Sequence, residues 1–254
     1  MGLFDKLFGS PEQPGEKPGI SGIELEQEIK KFVRPSWKPV TLDGDGDAAA
    51  SKFSGTPWLA ENEEWPKCKH CNEPLQLFIQ LNSSDLPEES NKPFGEGVLQ
   101  LFYCVNQKTE CEQYCDAWFP FAKSVLGRVV NAQGRAKQAA MQNAYPSKLI
   151  SKWQQFDDFP NSEEIKSLGI NFDWDDFEPF SDQYAPKPGD KLLGWPAWVQ
   201  GLEYPICPQC NQRMIFIFQI DSEDNLPYMF GDVGCGHVTY CPCNRSVAFG
   251  WACG

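Results

Sequence analysis

Residues 55–85 read GTPWLAENEEWPKCKHCNEPLQLFIQLNSSD, and residues 194–224 read GWPAWVQGLEYPICPQCNQRMIFIFQIDSED. The two stretches align without a gap at an offset of 139 residues, with 10 identities in 31 positions. The identities include two Cys-x-x-Cys pairs, in which Cys68 and Cys71 align with Cys207 and Cys210. A gapless match of this length, with both cysteine pairs in register, indicates an internal duplication.

Each copy of the repeat has the same order of elements. A Gly-x-Pro turn leads to the Cys-x-x-Cys pair, and an apolar segment follows at 75–81 or 214–220. A polar turn then leads to a second segment that ends in cysteine, at 98–104 or 237–241. Short β-strands joined by polar turns form antiparallel hairpins. The sequence therefore predicts an α+β fold: a single compact mixed domain with a duplicated, mainly antiparallel β core and two zinc-knuckle sites.

The segments outside the repeat complete the predicted domain organisation. Residues 1–21 are read as an N-terminal tail and linker, because residues 10–21 are rich in Pro, Gly and charge. Residues 22–254 form the domain, with repeat units at about 55–115 and 194–254. Apolar residues at helical spacing predict a helix over 22–34, ended by Pro35. Residues 128–150 predict a second helix, broken near Pro146.

The cysteines are the candidate metal ligands. The chain has 11 cysteines, and clustered thiols in a reducing compartment bind metal more often than they form disulfides. Zinc prefers four tetrahedrally placed ligands, among which thiolate is one of the best. The predicted ligands of the two structural zinc sites are Cys68, Cys71, Cys104 and Cys111 for the first, and Cys207, Cys210, Cys241 and Cys243 for the second.

Other assignments of the cysteines stay open. Cys115 is an alternative to Cys104 or Cys111, and Cys235, His237 and Cys253 are in reserve for the second site. A thioredoxin-like motif would place the cysteine pair at the start of a helix, whereas each pair here precedes a strand. Iron–sulfur ligation remains possible on ligand type.

The sequence shows no motif that would make either zinc site catalytic. A catalytic zinc keeps an open position and usually has histidine or carboxylate ligands, and the chain has 2 histidines. A phosphate loop, a dinucleotide fingerprint and a serine-elbow motif are all absent from the sequence. We therefore expect a protein that is not an enzyme.

The net charge limits the classes of partner. The formal charge is −13, which opposes binding to phosphate backbones and to anionic lipid. The sequence has no secretory h-region and no apolar run long enough to span a membrane. We expect a cytoplasmic protein that binds neither nucleic acid nor membrane, and whose partner is a basic protein.

Residues 156–190 form a distinctive acidic–aromatic insert between the two units. Ten acidic residues alternate there with aromatic ones, against two lysines. Such a surface can steer onto a basic cleft and anchor in it. The predicted partner-binding residues are Asp173, Trp174, Asp175, Asp176, Phe177 and Glu178.

Several segments resemble the YwqG-like family of bacterial proteins, over about residues 22–254. They are GTPWLAENEEWPKC, GVLQLFYC, KWQQFDDFP, KLLGWPAWVQ, FQIDSEDNLPYMFGDVG and the terminal FGWACG. The resemblance implies a single α+β domain with a duplicated β core, without an established activity, and a likeness to bacterial immunity proteins. The two cysteine knuckles are also similar to those of the programmed cell death protein 2 family of ribosome-biogenesis chaperones.

These observations favour a non-enzymatic, zinc-binding protein that acts by protein–protein interaction. The leading hypothesis is an immunity protein that binds and neutralises a cognate bacterial toxin, such as a nuclease with a basic cleft. One alternative is a chaperone or adaptor for a nascent or ribosomal protein. The other is an enzyme with an unrecognised site, which would show a polar pocket.

Overall fold

A computed structural model of the chain describes residues 19–106, 111, 118–137 and 145–254, and an antiparallel sheet dominates this part. Its strands are β1 (Arg34–Asp43), β2 (Lys52–Phe53), β3 (Gln76–Asn82), β4 (Val98–Tyr103), β5 (Val125–Val130), β6 (Lys148–Asp158), β7 (Lys191–Leu193), β8 (Ile215–Asp221), β9 (Cys235–Cys241) and β10 (Ser246–Ala252). The α-helices within the described ranges are α1 (Gly22–Lys30), α2 (Ser162–Ser167) and α3 (Trp174–Phe177). The predicted α+β class with a mainly antiparallel core is confirmed.

The order of the strands in the sheet is symmetric. It reads β10-β9-β8-β7-β1-β6-β2-β3-β4-β5, so β2–β5 and β7–β10 flank a central pair. The central strands β1 and β6 pair over nearly their whole length, from Arg34 opposite Asp158 to Asp43 opposite Lys148. The sheet curves so that its two edge strands contact each other. Gly127 of β5 lies directly against Val247 of β10.

The two central strands interlock the repeats. Strand β1 precedes the first unit in the chain, yet Trp37 pairs with Leu192 of the second unit. Strand β6 precedes the second unit, yet Leu149 pairs with Lys52 of the first. The repeated strand pairing covers 52–130 and 191–252, so it begins before both predicted units (about 55–115 and 194–254) and continues beyond the end of the first. The duplicated units therefore form one domain.

A buried glutamine in each unit shows how closely the copies agree. The Gln80 side chain accepts a hydrogen bond from the Trp58 amide at 2.8 Å, and the Gln219 side chain accepts one from the Ala197 amide at 2.8 Å. Each carboxamide also donates to two carbonyls of the loop that precedes its unit. Because buried amides need partners, these bonds fix that loop on the sheet.

Each unit also contains a fully buried lysine paired with an aspartate. Lys52 and Lys191 are both 1% exposed, and their ammonium groups lie 3.0 Å from Asp45 and 2.8 Å from Asp158. The same carboxylates accept the backbone N–H that follows a glycine, Gly55 or Gly194. Both glycines have φ near +80°, and a methyl group there would overlap the carboxylate. Glycine is therefore required at both turns.

The copies differ where Asp190 of the second unit replaces Ser51 of the first. Both side chains accept a hydrogen bond from the start of the next turn, from Asn82 to Ser51 and from Asp221 to Asp190. Burial raises the pKa of Asp190 to about 7, and the charge of nearby Asp224 adds to the effect. The second unit therefore has a carboxyl group that resists ionisation.

This difference predicts a dependence of stability on pH. Between pH 4 and 7 the unfolded chain ionises Asp190 while the folded protein keeps it protonated, so stability falls as the pH rises, by up to about 1.4 kcal/mol per pH unit. Asp190→Ser, which copies the first unit, is expected to remove this slope. Urea unfolding at pH 4.5, 6 and 7.5 measures it, with Asp157→Ser on the surface as control. Equal slopes in the wild type and in Asp190→Ser would contradict the prediction.

The insert has a core of its own, built with the first helix. Leu25 and Ile29 of α1 are fully buried and pack with Ile165, Phe172, Phe177 and Tyr184. Helix α1 ends at Lys30 rather than at 34, because the chain then turns into β1.

Among the described residues, no helix combines the length and apolar character needed to cross a membrane.

The predicted helix over 128–150 is wrong. Val125–Val130 is strand β5 and Lys148–Asp158 is strand β6, and residues 138–144 lie outside the described part. The apolar residues at its two ends are used by the sheet, since β5 pairs along the full length of β4. Of the predicted tail and linker at 1–21, residues 1–18 also lie outside the described residues.

Candidate metal centres

The two Cys-x-x-Cys turns have the same backbone geometry. In the first turn, the Cys68 amide donates to the Glu73 carbonyl at 2.8 Å and the Asn72 amide to the Cys68 carbonyl at 2.9 Å. The second turn has the same two bonds at the same distances, between Cys207 and Gln212 and between Asn211 and Cys207. Both asparagines have positive φ, a conformation that asparagine tolerates. The sequence thus builds one knuckle twice.

The first knuckle meets the end of strand β4. The sulfur of Cys68 lies 3.4 Å from that of Cys111, and the sulfur of Cys71 lies 3.6 Å from that of Cys104. Cys104 follows β4 directly, and its amide donates to the Ser124 carbonyl just before β5. All four sulfurs lie within 4.8 Å of one another, and Cys68, Cys104 and Cys111 are buried.

The second knuckle meets the end of strand β9 in the same way. The Cys207 sulfur lies 3.6 Å from that of Cys243, and the Cys210 sulfur lies 3.4 Å from that of Cys241. These four sulfurs also lie within 4.8 Å of one another. Cys241 and Cys243 open the β9–β10 turn, and Cys243 is exposed. The second cluster is therefore more open to solvent than the first.

The donor geometry fits a tetrahedral metal. Four sulfurs at about 2.3 Å from one ion are about 3.8 Å apart, and the close pairs here are 3.4–3.6 Å apart. These distances are far longer than the ~2.05 Å of a disulfide, and none of the ten described cysteines forms a disulfide. Four thiols that converge on one point can hold Zn²⁺ or another ion with an affinity for thiolate.

Hydrogen bonds prepare one thiol of each cluster for ionisation. Backbone hydrogen bonds from Cys210 and Gln209 lower the pKa of Cys207 to about 6. Burial opposes ionisation of Cys71, but hydrogen bonds from the Asn106 side chain and the Glu73 backbone lower its pKa to about 7. Burial raises the pKa of Cys104 to about 12. A divalent cation would displace the remaining protons when it binds.

The structure brings together the eight cysteines that the repeat singled out, and it leaves the reserve residues out of both clusters. Cys115, the alternative ligand, lies outside the described residues. Cys235 and His237 face each other at 3.8 Å inside the second unit, away from the knuckle. Burial raises the pKa of Cys235 well above its usual value and lowers the pKa of His237 to about 3. Both are therefore neutral at pH 7, and they do not form a thiolate–imidazolium pair.

The predicted partner-binding residues divide between surface and core. Asp173, Trp174, Asp175 and Glu178 are exposed, and Trp174 is 52% exposed. Phe177 is 3% exposed and packs on Phe172, so its assignment to the partner surface is wrong. A helix of four residues needs an apolar anchor, and Phe177 provides it.

Three acids of the insert belong to the interior rather than to a steering surface. Asp158 pairs with Lys191, and Asp190 accepts hydrogen bonds from Asn225. Glu164, 2% exposed, accepts from Arg213 and from the Tyr204 hydroxyl. The composition of residues 156–190 does not distinguish these acids from the exposed ones, because the partners that bury them lie in distant parts of the chain. The exposed acidic surface of the insert is consequently smaller than its composition indicates.

A cavity between the second unit and residues 118–120 has no counterpart among the sequence predictions. Its volume is about 380 Å³, and it opens beside strand β10. Its principal lining residues are Trp118, Trp198, Glu203, His237, Gly250 and Trp251. These residues come from four separate segments of the chain, so no local sequence pattern indicates the site.

Comparison with known proteins gives a family match over most of the chain and a short local match to a curated protein. Residues 51–241 match the model of a family described as "Domain of unknown function (DUF1963)". The "Uncharacterized protein YpfL" of Salmonella typhimurium is 46% identical over 41 residues. That match covers 16% of this chain and 10% of the relative, so the chain aligns with only about a tenth of the YpfL sequence. Seven of the eight cluster cysteines lie within the family match.

Proposed function

The chain belongs to the DUF1963 family, a domain of unknown function, and we propose that it is a non-enzymatic binding protein built on two structural zinc centres. The observation that carries the proposal is the pair of four-thiol clusters. Four thiolates complete the coordination of a tetrahedral metal and leave no open position for substrate, which is the arrangement of structural sites. The finer likeness, to the YwqG-like members of this family, forms part of the proposal.

The position of the clusters supports a structural role. Each cluster connects a knuckle to the end of the second long strand of its unit, β4 or β9. Small apolar groups surround both, including Leu75 and Leu77 at the first and Met214 and Ala248 at the second. Each of these apolar clusters is too small to fix the end of its hairpin by packing alone. A metal bound there would supply the missing stability.

Charge supports a basic protein as the partner. The net charge of −13 repels nucleic acid and anionic lipid, and it attracts a basic surface at long range. The exposed acids around Trp174 combine such charge with an apolar anchor. Our proposal is a cytoplasmic protein that binds and neutralises a basic toxin domain, such as a nuclease.

Charge reversal on α3 tests the partner surface. In the triple variant Asp173→Lys, Asp175→Lys, Glu178→Lys, we expect at least tenfold weaker binding to the toxin encoded by the neighbouring gene, because like charges would then face each other. Asp173 makes no capping hydrogen bond to the helix, so the fold should tolerate the change. Calorimetry with the purified toxin domain measures the affinity.

The control variant changes net charge equally at another place. Exposed acids at Asp43, Glu61 and Glu88 are replaced by lysine, and this variant should bind within about threefold of the wild type. Equal weakening in both variants would show steering by total charge rather than a surface at α3. Absence of binding by the wild type, with no protection of cells that express the toxin, would refute the proposed function.

A further inference from the structure

The first unit encloses an arginine side chain of its own. Arg128 of β5 pairs with Gln100 of β4, and its Nε donates to the Gln100 carboxamide oxygen at 2.8 Å. Its Nη1 donates to the Glu63 carboxylate at 2.5 Å, and the ring of Phe102 lies 5.5 Å away. An amide, a carboxylate and an aromatic ring thus surround this guanidinium group.

The second unit has glycine at the corresponding position. Gln100 lies opposite Gln80, and its counterpart His237 lies opposite Gln219, which is the residue that repeats Gln80. The residue that pairs with His237 on β10 is Gly250, so Gly250 corresponds to Arg128. The cavity of about 380 Å³ opens at Gly250. It is large enough for an arginine side chain.

The three groups that hold Arg128 are replaced in the second unit, where Leu202 corresponds to Glu63, His237 to Gln100 and Thr239 to Phe102. The cavity has other features that attract a cation. Trp118, Trp198 and Trp251 line it, and tryptophan is the aromatic residue that binds cations best. Glu203 also lines the cavity; it is exposed, and it aligns with Glu64 rather than with Glu63, the carboxylate partner of Arg128. In the part of the chain that the structure describes, no lysine or arginine forms a salt bridge with Glu203.

We propose that this cavity binds the guanidinium group of an arginine side chain presented by the protein partner, in the place where the first unit encloses Arg128. The source of the arginine rests on the proposed function, in which the partner is a basic protein. The guanidinium site itself rests on the equivalence of Gly250 with Arg128 and on the tryptophans and Glu203 that line the cavity. His237 is neutral at pH 7, so it does not repel the cation.

Titration of the zinc-loaded full chain with N-acetyl-arginine methylamide tests the site. The readout is the shift of the tryptophan indole N–H signals in ¹⁵N–¹H spectra. The citrulline analogue, which has the same shape without the charge, is expected to bind at least about fivefold more weakly, since the cation–aromatic attraction is lost. The lysine analogue should also bind more weakly, because the ammonium group lacks the planar guanidinium fork.

Two variants locate the binding in this cavity. Glu203→Gln is expected to weaken arginine binding about threefold or more, whereas Glu64→Gln at the repeated position in the first unit should leave it unchanged. Gly250→Arg should place a guanidinium in the cavity from within the chain and abolish binding of the added compound. A Cβ at Gly250 would meet the Trp118 carbonyl oxygen at 3.2 Å and the Pro120 ring at 3.3 Å, so residues 118–120 would have to move by a few tenths of an ångström.

The outcomes separate this inference from the proposed function. Equal binding of the arginine and citrulline analogues, equal binding of the arginine and lysine analogues, or no shift at the cavity tryptophans would each overturn the guanidinium site. None of these measurements involves a partner. A protein that binds arginine in the cavity but no toxin domain would retain the site and lose the proposed function.

Discussion

Replacement of Cys210 by serine is expected to lower the zinc content from two ions per chain to one and to destabilise the fold severely. Binding of structural zinc contributes about 10–16 kcal/mol in small zinc-dependent domains, and a typical domain has only about 5–15 kcal/mol of net stability. Loss of one cluster would release the second knuckle from the end of β9. The measurements are metal content by mass spectrometry and thermal unfolding by circular dichroism.

Cys253→Ser is the matched control for this change. Cys253 is a free cysteine near the end of the second unit and belongs to neither cluster. The control should keep two ions and its melting temperature. If Cys210→Ser does not fold, chelation of the wild type gives the same information, because metal release and unfolding should coincide. Two-ion content in Cys210→Ser, or a wild type that stays folded without metal, would contradict the structural role.

The two sites are also expected to lose their metals at different rates. Cys243 is exposed in the second cluster, whereas the equivalent Cys111 is buried in the first. A chelator therefore reaches the second metal more easily, and release should follow two phases. Cys210→Ser should remove the fast phase, which identifies it.

The repeat made the strands and the cysteine clusters predictable. Alignment of the two copies places β3 and β8 at the same offset of 139 residues, and the structure has them at 76–82 and 215–221. Strand β4 ends just before Cys104 and β9 ends at Cys241, as the cysteine-ended segments predicted. Local pattern sufficed there because each unit repeats the same short-range hydrogen bonds.

Contacts between distant segments could not be predicted in this way. The predicted helix begins at 128, inside the segment Val125–Val130, and pairing with β4 makes that segment a strand. The sequence places Phe177 on the partner surface, but the packing of α1 on the insert buries it. The exchange of β1 and β6 between the units leaves no local signal, because it depends on which strand edges meet across more than 90 residues.

The second large effect is expected at the buried ion pair of the second unit. Asp158 is fully buried, and its carboxylate accepts from Lys191, from the Trp195 amide and from the Lys187 amide. Asp158→Asn keeps the shape but leaves Lys191 charged and without its carboxylate. Breaking a buried pair on one side costs about 3–5 kcal/mol. Urea unfolding at pH 7 measures the loss.

The first unit provides the matched comparison. Asp45 is 38% exposed, and its partner Lys52 also donates to the carbonyls of Asp47 and Thr56. Asp45→Asn therefore leaves the Lys52 ammonium with two acceptors, and its cost should be about 1–2 kcal/mol. A loss in Asp158→Asn no larger than that in Asp45→Asn would contradict a dominant role for burial.

The pH dependence and a double variant identify the cause. Burial already lowers the pKa of Lys191, and loss of the Asp158 charge should lower it further. Between that pKa and the ordinary lysine pKa near 10.4, the unfolded chain binds more protons than the folded one, so the stability of Asp158→Asn should rise with pH. At pH 9.5 the stability deficit of Asp158→Asn should be smaller than at pH 7.

Lys191→Met added to Asp158→Asn removes the buried charge altogether. It should restore most of the stability lost at pH 7, because an apolar side chain of similar length needs no partner. A double variant less stable than Asp158→Asn would show that the ammonium group, rather than its lost counter-charge, supports this turn.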